Sequence, residues 1–105
     1  MTDPISWIVI PAIALAEACR VVEKRKTTIP SIRDLLRAVD SDARMTIDVV
    51  DRDLIERSVT LTALKEMHDR LIVATALRLG EKHPAMILLT ADANITASGI
   101  VPTVW

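Results

Sequence analysis

The chain has 105 residues and a mass of 11.6 kDa; half of its residues are apolar, and 13 Lys and Arg against 14 Asp and Glu leave a formal net charge of -1. This size and apolar content fit one domain over residues 1–105 and exclude a disordered chain, and the balanced charge excludes the strong positive field on which histone-like proteins rely. A single cysteine, Cys19, excludes an internal disulfide or a cysteine-built zinc site, and with no basic leader and no run of eighteen apolar residues the expectation is a cytoplasmic protein without a membrane span.

Trp7–Ile10 (WIVI) is apolar, β-branched and closed by Pro11, the pattern of a strand covered on both faces. Pro11 can open a helix, where its missing N–H costs little, and the helix is expected from Ala12 to Glu23. Its first half is almost wholly apolar and charge enters only after Cys19, so a buried start and a wet end are expected, with Cys19 as a small buried hydrophobe. Ser31 followed by Asp34 resembles a capping box and predicts a second helix over Ile32–Val39, with Ile32, Leu35, Leu36 and Val39 on one face. The run Met45–Val50 alternates as a strand does, with Asp48 exposed or at its end. Asp51 then caps a third helix, Arg52–Val59, with Leu54, Ile55 and Val59 as its apolar side.

The segment LTALKEMH is open between a turn and a helical extension. Asp69–Gly80 reads as a fourth helix, opened by Asp69 and ended by glycine, with so little polar face that it must be covered nearly all round. Met86–Thr90 (MILLT) is a second apolar strand, ADANITASG reads as a polar turn, and VPTVW is a terminal strand anchored by Trp105. Strands and helices alternate through short connections, which favours a three-layer α/β/α domain with a mostly parallel sheet.

Three acids stand out against apolar surroundings. Glu17 interrupts an apolar helix half, Asp69 opens an apolar helix, and Asp92 follows the MILLT strand at the end where open α/β sheets bind ligands. Each also has an ordinary reading: a surface charge, an N-cap and a turn residue. Carboxylates brought together repel one another unless protonated or neutralised by a cation, and hard divalent ions such as Mg²⁺ prefer such oxygen donors. There is no GxGxxG, P-loop, CxxC or nucleophile-elbow serine. His68 and His83 read as exposed or capping residues. Arg20, Lys24, Arg25, Lys26 and Arg70 are open between contacts to RNA phosphates and ordinary surface charge. Two Trp without Phe or Tyr make a stacking platform for bases improbable.

The stretches MHDRLIVATALRLG, MILLTADANI and GIVPTVW, with IPAIALAEACRVVEKRK before them, resemble the PIN-domain ribonucleases, in particular the VapC-type toxins of bacterial toxin–antitoxin pairs. The resemblance covers about Trp7 to Trp105. It implies an α/β/α fold around a parallel sheet and an acidic cluster that binds Mg²⁺ or Mn²⁺ and hydrolyses RNA. Glu17 matches the glutamate of the A-x-x-L-A-E helix start, Asp69 the aspartate that opens D-x-L-I-x-A-T-A, and Asp92 the aspartate of L-L-T-x-D. Thr90 matches the hydroxyl residue of that last motif and is expected to orient the acids or a metal-bound water; Asn94 stands where many relatives have a further acid. The family's first strand carries a D-T or D-S motif, but the only acid before Glu17 is Asp3, so an N-terminally truncated PIN-like domain is expected.

Two functions follow. One is a metal-dependent endoribonuclease of a toxin–antitoxin system in which Glu17, Asp69 and Asp92 hold the metal, Thr90 assists, and 5′-phosphate and 3′-hydroxyl ends are left. The other is a catalytically inactive PIN-like remnant that acts by binding an antitoxin or itself. The expected partners are RNA, a cognate antitoxin and a second copy in a homodimer, since a missing strand would leave a sheet edge open to pairing.

Overall fold

A computed structural model describes residues 8–83, 86–89 and 93–104, which fall in two compact units, residues 1–49 and 50–105. The proposed strand residues Trp7, Thr90 and Trp105, the acids Asp3 and Asp92, and Pro84 lie outside the described residues.

In the first unit, β1 (Ile8–Pro11) and β2 (Met45–Asp48) pair in parallel, with Ile8 opposite Met45 and Pro11 opposite Asp48. Pro11 has no N–H to give to the ladder and sits at its end, where α1 (Ala12–Glu23) begins over the expected residues. The expected wet end of α1 is present, with Arg20, Val21 and Glu23 exposed and Val22 alone buried, but its start is only half-buried over residues 12–15, Ala16 and Glu17 are exposed, and Cys19 is half-buried. The apolar character of the first half comes largely from Ala12, Ala14, Ala16 and Ala18, whose single methyl groups gain little from burial.

The end of α1 closes through two backbone bonds, Arg25 N–H to the Val22 carbonyl at 2.9 Å and Lys26 N–H to the Val21 carbonyl at 3.2 Å. This is the pattern of a Schellman cap, and Arg25 accordingly has φ of 58°, where glycine is usual. Helix α2 (Ile32–Ser41) starts where Ser31 Oγ accepts from Asp34 N–H at 3.2 Å and runs two residues past the expected end. Strand β2 stops at Asp48, two residues short of expectation, and leaves Val49 and Val50 exposed.

In the second unit, Asp51 Oδ1 accepts from Leu54 N–H at 2.9 Å and caps α3 (Arg52–Val59) as expected. Helix α4 (Met67–Lys82) extends the expected Asp69–Gly80 by two residues at each end. Gly80 therefore does not end it: Glu81 and Lys82 are good helix formers and continue the turn. His83 is the C-cap, and the proline after it in sequence disfavours helical backbone at that residue. Asp69 is not the N-cap either, a place taken by Glu66 without a side-chain bond.

Strands β3 (Leu88–Leu89) and β4 (Thr103–Val104) pair in parallel, with Leu88 N–H donating to the Pro102 carbonyl at 2.9 Å. Between them, where a polar turn was expected, stands a short helix, α5 (Ala93–Ser98). Ile95, 1% exposed, supplies the anchor that its composition conceals, and Gly99 at φ 65° leaves the helix in the left-handed conformation that glycine tolerates. Ile95 packs with Leu64, Val73, Ala76 and Val101 as the core of this unit. The described pairings are all parallel and helices connect the paired strands, so the chain has the expected α/β character. Among the described residues no helix is long and apolar enough to cross a membrane.

Candidate functional site

Glu17 is the sixth residue of α1, and its side chain is exposed. On the same helix face, three and seven residues on, stand Arg20 and Lys24. Arg20 Nη1 pairs with Glu23 Oε1 at 2.6 Å.

Asp69 is placed differently. As the third residue of α4 it lies in the first turn, 9% exposed, with Leu71, Val73 and Ala74 buried after it. A carboxylate so far removed from water needs compensation. The partial positive charge of the helix N-terminus supplies part of it. The ordinary reading of Asp69 as an N-cap is thus overturned by its position within the first turn. The missed signal is that Met67 and His68 already belong to the helix although neither is a usual N-terminal residue. Arg70 Nε donates to the Leu64 carbonyl at 2.5 Å, which ties this side chain to the preceding loop. His68 and His83 are exposed, and Asn94 is exposed on α5. Thr90 and Asp92 lie outside the described residues.

The second unit also carries a groove of about 750 Å³ that sequence reading did not anticipate, with Leu77, Met86 and Ile100 on its floor and Asp53, Arg57 and Glu81 at its rim. Arg57 grips Glu81 through two bonds of 2.8 and 3.0 Å and reaches Asp53 at 2.9 Å. Hydrogen bonds to Glu81 and then Asp53 push the Arg57 guanidinium further up, and Arg57 in turn holds the Glu81 carboxyl below its ordinary value. Nearby, Arg78 Nη1 meets Asp51 Oδ1 at 2.7 Å. The Leu54 N–H, and after it Arg78, hold Asp51 low. These charges are spent on one another and tie α3 to α4.

Among the described residues no group of three or more His, Cys, Asp or Glu side chains stands ready to hold a metal ion, and no buried side-chain N or O lacks a hydrogen bond. The donor chemistry of Glu17, Asp69 and Asp92, three carboxylates with the Thr90 hydroxyl two residues before the last of them in sequence, nevertheless fits a hard divalent cation.

In comparison with known families, the PIN-domain model matches residues 3–98, more than nine-tenths of the chain. No curated protein and no solved structure matches the chain significantly.

Proposed function

The chain belongs to the PIN-domain family, and from that premise we propose that it is a metal-dependent endoribonuclease of a toxin–antitoxin system. Family membership gives the nuclease-type function; the RNA substrate, the metal and the toxin–antitoxin setting are this proposal's own. The observation that carries it is the Asp69 carboxylate, held 9% exposed in the first turn of a largely buried helix within the motif D-x-L-I-x-A-T-A. An acid kept there against its desolvation cost has a use beyond solubility.

Glu17, Asp69 and Asp92 would hold Mg²⁺ or Mn²⁺, which when bound supplies Lewis acidity and charge neutralisation for phosphodiester hydrolysis. Asp69 contributes a carboxylate whose backbone is fixed by helix geometry, which limits the reorganisation needed on binding. Glu17 contributes one from an exposed helix face, where a polyanionic substrate has access. Thr90 contributes a hydroxyl that orients these acids. Incubation of the protein with single-stranded RNA and Mn²⁺ is expected to give fragments with 5′-phosphate and 3′-hydroxyl ends. Asp69→Asn is expected to lower the rate on the order of 10²-fold or more, a magnitude typical of losing a preorganised electrostatic group. Intact RNA at high protein concentration, with either metal, would sink the proposal.

A second reading, an inactive PIN-like protein that binds an antitoxin or itself, is favoured by the exposed apolar side chains of Ile8, Val21, Leu36 and Ile47 in the first unit. The ribonuclease reading includes a homodimer and an antitoxin partner, the second reading one or the other. Light scattering is expected to give twice the 11.6 kDa chain mass. A dimer without any RNA cleavage favours the second reading.

A further inference from the structure

The charge of this chain is unevenly spread. Residues 20–37 contain six basic side chains (Arg20, Lys24, Arg25, Lys26, Arg33 and Arg37) and two acidic ones (Glu23 and Asp34), a net of +4 in a chain whose total is -1. Among the described cations outside this stretch most are paired, with exposed Lys65 and Lys82 the exceptions. Arg44, Arg52, Arg57 and Arg78 each pair with a carboxylate, and Arg70 with a carbonyl. Arg20 pairs with Glu23. Lys24, Arg25, Lys26, Arg33 and Arg37 are exposed and make no ion pair among the described residues.

A second observation falls at the same place. Arg25 occupies the left-handed position of the α1 cap and is the one non-glycine residue with positive φ among the described residues. Glycine would meet the backbone requirement with less strain, so the cap alone does not explain a cation there. Backbone strain of this kind collects at functional positions. Along α1, Lys24 lies two turns beyond Glu17 on the same face, about 10 Å away by helix rise. On α2, Arg33 and Arg37 stand one turn apart beside Ile32, Leu36 and Asp40.

We propose that the α1–α2 turn (Lys24, Arg25 and Lys26) together with Arg33 and Arg37 of α2 binds the phosphate backbone of single-stranded RNA and leads the strand along α1 toward Glu17. This rests on the ribonuclease reading and adds to it a surface separate from the acids. Contacts to phosphates position a strand without reading its bases, so little sequence preference comes from this surface.

The test is fluorescence anisotropy of a labelled single-stranded RNA 20-mer (about that length, to span a typical site) with the full chain in EDTA, so that binding is read without cleavage. Five phosphate contacts predict a slope near -3.5 for log K against log salt, or about a 100-fold loss of affinity between roughly 50 and 200 mM NaCl. The double variant R33Q/R37Q is expected to bring the slope to about -2 and to weaken binding at low salt. R52Q, which removes an exposed but ion-paired cation of α3, is expected to leave the slope unchanged. R25G is the sharper probe: it should weaken RNA binding while its Tm is no lower than the parent's, which separates lost binding from lost folding. A parent that cleaves RNA while R25G and R33Q/R37Q bind as it does overturns this surface and leaves the ribonuclease reading in place. A parent that neither binds nor cleaves RNA removes both. Binding to phosphatidylserine vesicles with none to RNA also overturns the proposal.

Discussion

Residues 8–49 and 50–104 are of similar length, yet they are held together by different means. Among the described residues ten apolar ones are buried, of which eight (among them Leu54, Val73, Ala74 and Ile95) lie in the second unit and two, Val22 and Val39, in the first. The second unit owes this to α4, whose apolar residues occupy most of its circumference and so can be covered from several sides. The first unit is built from a two-stranded ladder and two helices whose apolar faces are half-exposed, and it depends more on local devices such as the Ser31 cap and the Arg25 turn. Charge divides in the same way. In the second unit Arg52, Arg57 and Arg78 are committed to carboxylates and Arg70 to a carbonyl, with Lys65 and Lys82 unpaired among the described residues, whereas in the first five cations clustered within residues 24–37 have no carboxylate partner. A region with little core and uncommitted charge suits ligand contact; a region with a packed core and committed charge suits support.

That contrast is most easily broken at the cores. Leu54 is fully buried, so Leu54→Ala should cost about 2–5 kcal/mol in urea unfolding, whereas Leu36→Ala, at a side chain 38% exposed, should cost less than about 1 kcal/mol. Equal losses would mean that Leu36 is packed as tightly as Leu54 and would break the contrast. The next largest effect concerns metal. At Mg²⁺ or Mn²⁺ about 100 times above Kd, binding should stabilise the parent by about 2.7 kcal/mol, seen as a rise in Tm, and Asp69→Asn should lose most of that rise. An identical metal response in both proteins would make Asp69 a purely structural acid.

A smaller effect tests the local devices of the first unit. Ser31→Ala removes the oxygen that accepts from Asp34 N–H and should cost about 0.5–2 kcal/mol, with helicity lost from α2 by hydrogen exchange before the second unit opens. Protection lost evenly along the chain would contradict it. The smallest effect is expected at low pH. Asp51 and Glu81 are held below their ordinary values when folded, so their contribution is complete above the unfolded carboxylate value and is lost as pH falls through the folded one. The Tm should therefore decline below about pH 4. Asp51→Asn keeps the cap but has no charge to titrate, and should flatten that decline; added salt should flatten it too, because these groups are exposed. A variant that declines as steeply as the parent would remove Asp51 from the account.

What the sequence by itself determined was local. Helices α1 and α3 begin and end where Pro11, Asp51 and the apolar spacing place them, because caps and periodicity act within a few residues. The family was legible for the same reason, since the stretches that carry it are contiguous, and the parallel α/β character followed from the alternation of strands and helices. Other features rest on contacts distant in sequence. Helix α5 exists because Ile95 finds the core beside Val73 and Val101, which overrides the turn-like composition around it. Glu17 and Asp69 read alike as acids in apolar stretches, yet one is exposed and the other buried, because burial depends on what packs against a helix rather than on its own residues. The Arg57–Glu81 pair joins residues 24 apart, beyond the reach of any spacing rule. Arg20–Glu23 and Arg52–Glu56 pair at helical spacing and follow from sequence alone, but only tertiary structure decided that Arg57 meets Glu81 and Arg78 meets Asp51, because those pairs require side chains distant in sequence to meet in space.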